Sequence, residues 1–146
     1  MADFTREEIE ELIAKVRKLK KADLEDLDLS NAKLSDADLR GANLTGANLK
    51  NADLIGANLR GSILIRANLH KANLSKTHLE WANLREANLC LANLRGAIMY
   101  EAILQESNMN MTDLTKTNLR GAMYNNHTKF PEGFDPAGAE MVLMEE

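Results

Sequence analysis

From Ala22 to Tyr124 a large apolar residue returns at every fifth position, and a small residue stands two places before it. The large residues are leucine without exception from Leu24 to Leu94, then Met99, Leu104, Met109, Leu114, Leu119 and Tyr124. The residue two before each is Ala, Ser or Thr, with Leu27 the one departure. A period of five fits neither regular element. In an α-helix five residues advance a side chain by about 500°, so the leucines would spiral around the axis. In a continuous strand they would point alternately to opposite faces, and half would meet water. The chain must turn once per repeat, and turns near 90° return it over itself after four repeats. The pattern predicts an all-β square solenoid of about five coils, with the leucine and the small residue inward and their neighbours outward. At about 4.8 Å per coil, the rod would be on the order of 25 Å long.

The corners have their own signature. The residue before the large apolar one is Asn or Asp in 15 of 21 repeats, and such side chains bond nearby backbone in turns. Gly at 41, 46, 56, 61, 96 and 121 falls two after it, where a bend suits a permissive residue. Repeats such as Ala42-Asn43-Leu44-Thr45-Gly46 and Ala57-Asn58-Leu59-Arg60-Gly61 resemble those of the pentapeptide repeat family. The resemblance implies a right-handed quadrilateral β-helix over residues 22–124. It implies little about activity, since the repeat is structural and each member's role lies on outward residues.

Residues 1–21 read as an N-terminal α-helical cap, because the first coil presents an apolar end that needs cover. Thr5 and Glu8 form a capping box, Phe4 and Ile9 a hydrophobic staple. Ile9, Leu12, Ile13, Val16 and Leu19 line one helical face through about Lys21. Residues 125–146 read as a C-terminal tail or cap, and residues 128–136 resemble the ending common in cyanobacterial members of the family. Phe130 and Phe134 are placed to plug the last coil. Asp135 as N-cap and Pro136 as first helical residue would start a short helix.

Charge and composition add exclusions. The net charge is −4, and a lone cysteine forbids an internal disulfide, which favours a reducing compartment. With neither a signal-peptide pattern at the start nor an apolar run of spanning length, the expectation is a cytoplasmic protein without a membrane partner.

Residues 20 apart share a column along the rod, so the outside can be searched for chemistry. His70 lies between Lys50 and Cys90 in one column. Two ligands do not make a zinc site, and His78 and His127 fall elsewhere. No metal site or cofactor is expected; unrelated exposed side chains are favoured there over a thiol activated by its basic neighbours. Missing nucleophile, carboxylate-pair and phosphate-loop motifs argue against an enzyme.

Residues 39–79 carry Arg40, Lys50, Arg60, Arg66, Lys71 and Lys76 against Asp53 alone, whereas residues 22–38 are rich in Asp. Some members of the resembled family mimic DNA and inhibit DNA gyrase, and that is the alternative function. A mimic needs dense negative charge along the rod, which the middle of this one lacks. Nucleic acid binding through the cations is not expected either, because they are dispersed and no aromatics interleave with them.

The apolar anomaly is sharper. Ile63, Ile65, Ile98, Tyr100 and Ile103 occupy outward positions on two adjoining faces, and Trp81 stands at the corner between them. The other faces keep polar ladders, Asn48, Asn68, Asn88, Asn108 and Asp53, Asn73, Asn93, Asp113. These six residues are the candidate contact patch, for a protein partner or a second copy of the chain. Strand propensity of isoleucine, or a covering tail, is the competing account. Leu91 and Met111 form a smaller apolar pair with no function attached. The expected function is a non-enzymatic protein-protein interaction scaffold.

Overall fold

Each five-residue repeat closes a turn in which the N–H of the small residue donates to the carbonyl of the preceding large one, as from Ala72 to Leu69 at 3.0 Å. The third residue of every such turn takes positive φ, the mark of a type II turn. Six of these corners are glycine, and fifteen are not: Lys, Asp, Asn, Arg, Glu, Trp, Leu and Met all stand at φ between 53° and 63°. None is β-branched, the side-chain class for which left-handed φ is most costly. All fifteen Asn and Asp residues before a central position accept, through Oδ1, the N–H two residues on, at 2.9–3.3 Å. The turn and the Asx bond together direct the chain around each corner.

The structure is a computed structural model that describes residues 4–15 and 19–145. Parallel bridges join each coil to the next at a spacing of 20 residues, Asp23 to Asn43, Asn43 to Ile63, and so on up all four faces. Each bridge is one residue wide, because the turns leave no room for a longer strand. The inward residues stack as planned: Leu24 to Leu104 and Met109 are fully buried, with alanines filling the space between them. The result is a right-handed quadrilateral β-helix. Ser62, Thr77 and Ser107 replace alanine without an orphaned hydroxyl, since each donates to the carbonyl three residues back at 2.7–2.8 Å.

At the start, α1 spans Arg6–Lys15. The capping box forms, with Thr5 N–H donating to Glu8 Oε2 at 2.7 Å and Glu8 N–H to Thr5 Oγ1 at 3.3 Å. Ile9 is buried against the first coil. Arg6 donates to the carbonyls of Asp28 and Ser30 at 3.2 and 2.7 Å, supplying to this edge the bonds that a coil beneath would have made. The helical face expected through Lys21 is shorter in the structure. Leu19 and Lys21 donate to Asp38 and Arg40 carbonyls, so they already belong to the solenoid. The physical reason is the register, for Leu19 stands five before Leu24. Val16 lies outside the described residues, and so does the Ile13 side chain.

At the other end the period breaks. Positions 127 and 129, which the register would turn inward, hold His and Lys. A turn at residues 125–128 instead lengthens the coil by one residue, so that Lys129 bridges Asn108. Phe130 therefore follows as the next core residue, stacked on Phe134 at 5.2 Å and edge-on to Tyr124 at 5.3 Å. The short helix expected from Asp135 does not form. Residues 136–140 make a turn closed by Ala139 N–H to Asp135 O and Met141 N–H to Pro136 O. The chain then returns to pair β2, Val142–Leu143, in parallel with β1, Met123–Tyr124.

Candidate functional site at the Trp81 corner

Trp81 stands at a corner with φ 59°, and 55% of its surface is exposed. Corner side chains project away from both adjoining faces, which is why an indole fits there without entering the core. Two neighbours hold it. Its Nε1–H donates to Glu101 Oε2 at 3.0 Å, one coil above in the same column. Tyr100 meets the ring edge-on, with centroids 6.1 Å apart. Gly121 is next in the column, and a Cβ there would come within 3.1 Å of Glu101 Cγ, so the glycine accommodates the Glu101 stem.

An open groove of about 450 Å³ runs beside the indole, lined by Trp81, Glu101, Ile103, Gly121, Met123 and Val142. Of the six candidate residues, the structure brings together Trp81, Tyr100 and Ile103. Ile63 is exposed at 38%, but Asn83 stands between it and Ile103 in the ladder. Ile65 and Ile98 are half-buried, and Ile98 sits between His78 and Asn118. The patch is therefore interleaved with polar residues, because substitution of the Asn position by Ile occurs in alternate coils.

Three groove residues escaped the sequence reading. Met123 occupies an Asn position, the same signal that singled out Ile103. Glu101 would have emerged from the column it shares with Trp81. Val142 carries no signal, since it reaches the groove only through β2.

On the neighbouring face Arg60, Glu80 and Tyr100 share a column. Glu80 is only 6% exposed, and both Arg60 Nε and Nη2 donate to its Oε1, at 3.0 and 2.8 Å. His78 Nδ1 lies 3.4 Å from the same oxygen. Glu80 Oε2 is buried without a hydrogen-bond partner. Burial pushes the Glu80 carboxyl up, but the Arg60 hydrogen bond, its own backbone and His78 outweigh that and hold it below the ordinary value. The Glu101 carboxylate pushes the Tyr100 hydroxyl up.

Elsewhere, Cys90 is a free, half-buried cysteine whose N–H donates to Asn88. Leu91 and Met111 are exposed at one corner. Among the described residues no cluster of three or more His, Cys, Asp or Glu is arranged to hold a metal, and no helix is long and apolar enough to cross a membrane.

The family profile described as Pentapeptide repeats matches residues 22–61, 42–80 and 82–121, in 8 copies. This chain belongs to the pentapeptide repeat family. No curated protein matches it. Among solved structures, this pentapeptide repeat protein is similar to Rfr23 of the cyanobacterium Cyanothece 51142, at 28% identity and TM-score 0.80, over 82% of this chain and 95% of that one. It is similar also to a pentapeptide repeat protein of the Arabidopsis thaliana thylakoid lumen, at 28% identity and TM-score 0.55, over 70% and 68%. Full-length QnrB1, a plasmid-mediated fluoroquinolone resistance protein, shares 22% identity at TM-score 0.52 over 87% and 67%, a likeness of fold alone.

Proposed function

We propose that this pentapeptide repeat protein is a non-enzymatic interaction scaffold that contacts a protein partner through the Trp81 corner. The observation that carries the reading is an indole held in the open by Glu101 and Tyr100 at the rim of a largely apolar groove. Large aromatics so placed act as anchors in protein interfaces. The backbone there adopts a conformation disfavoured for non-glycine residues, while the same column holds glycine at 41, 61 and 121. We place this scaffold in the cytoplasm, a reducing compartment of the kind its single cysteine favours.

Trp81→Glu tests the reading. Affinity capture with the native chain and with the variant should differ by a defined partner, whose purified form binds the variant more weakly by about 2 kcal/mol or more. Denaturation midpoints of the two should agree. Identical capture by both proteins would sink the proposal.

A further inference from the structure

We infer that the groove beside Trp81 receives a basic side chain, lysine or arginine, from an extended segment of a protein partner. This rests on reading the Trp81 corner as the contact surface. Its added content is the chemistry of the occupant.

The groove is lined by the apolar side chains of Ile103, Met123 and Val142 and by the indole. The polar side chain of the lining is Glu101, which accepts the indole N–H and a hydrogen bond from the Tyr100 hydroxyl and makes no ion pair among the described residues. Its neighbours are compensated: Glu80 is paired with Arg60 at 2.8 Å, and Glu140 with Arg120 at 3.3 Å. A carboxylate without a paired cation thus lies alongside an apolar trough, against an aromatic ring.

A lysine or arginine matches that arrangement part by part. Its methylene stem covers apolar surface while its charged head stays beside the carboxylate. The head pairs with Glu101 and lies within reach of the indole, where a cation is attracted by the ring quadrupole. A purely aliphatic side chain would desolvate the Glu101 charge without compensating it, and an acidic one would be repelled. The longer-range field agrees. Residues 80–146 carry ten acidic residues against five basic ones, which draws a basic segment toward this half of the rod.

The chain holds a single tryptophan, so fluorescence reports on this site alone. Full-length protein at low ionic strength is titrated with acetyl-tetralysine amide, and in parallel with tetraglutamate and tetra-alanine peptides. Tetralysine should give a saturable change in Trp81 emission, and the other two should not. Glu101→Gln should weaken tetralysine roughly fivefold or more, and Glu101→Lys should abolish the response. Glu132→Gln, which removes one exposed charge from the tail, should change affinity less than about twofold. Equal losses at Glu101 and Glu132 would reduce the effect to diffuse charge and overturn the inference. So would an equal response to tetra-alanine, no response at all, or a concentration-dependent blue shift without peptide, which would make a second copy the occupant. If tetralysine fails while Trp81→Glu still loses its partner, the basic occupant falls and the contact corner stands. If tetralysine binds while Trp81→Glu captures the same proteins, the contact corner falls instead.

Discussion

Leu69 lies between Leu49 and Leu89 in the central stack, with no exposed surface on any of the three. Coils spaced by backbone hydrogen bonds cannot slide together, so the hole left by Leu69→Ala should persist and cost about 2 to 5 kcal/mol. Arg85→Ala, at an exposed position, should stay within about 0.5 kcal/mol. Chemical denaturation of the two variants checks the inward assignment. Glu80 makes a pH-dependent prediction at the same scale. Its carboxyl titrates below the ordinary value in the folded chain, so its stabilising contribution is complete above the unfolded value, near 4.5, and is lost as pH falls through the lower folded value. Arg60→Ala should therefore cost about 1 to 3 kcal/mol at pH 7, because it leaves a buried carboxylate short of donors. That deficit should shrink as pH falls and the carboxyl protonates. Denaturation curves from pH 7 down through the acid limb measure it, and a difference constant throughout would contradict the assignment.

At the scale of elements, the first coil shows how an open edge is managed. Arg6 bonds two carbonyls that face no lower coil, and it also pairs with Glu10 at 3.0 Å, tying α1 to the solenoid through one guanidinium. Arg6→Ala should cost about 1 kcal/mol, with the loss confined to α1 and the first coil. Hydrogen exchange should show faster exchange at Leu24, Leu29 and Asn31 and unchanged protection at Leu69 and Leu89. Uniform acceleration along the rod would mean that the edge bond governs global unfolding. The last coil uses a different device. The turn at 125–128 adds a residue, and Asn125 Oδ1 accepts the Glu106 N–H that would otherwise have met the next backbone carbonyl. Phe130 thereby enters the core position that Lys129 could not fill.

For the molecule as a whole, the arrangement of charge weighs against DNA mimicry. The basic stretch over residues 39–79 interrupts two acidic ends, so the rod offers no continuous polyanionic face. We expect no inhibition of DNA gyrase supercoiling at micromolar concentration. A block relieved by added salt would reverse the order of the two functional readings.

The sequence alone determined the solenoid. A period of five excludes helix and flat strand, the Asn position builds the Asx turn, and the column arithmetic places Trp81 on its corner. These features repeat, and each follows from local geometry and burial. What the tertiary structure decided lies where the repeat is broken or where two columns meet. Leu19 joined the coil and not the helix, because inter-coil hydrogen bonds outweigh helical periodicity so near the rod. The tail formed a turn and a parallel strand where capping residues suggested a helix, because β1 offered an unpaired edge. Glu101, Met123 and Val142 became a groove with Trp81 only when four consecutive passes of the chain were stacked, and adjacency across passes that differ in length has no signature in any one of them.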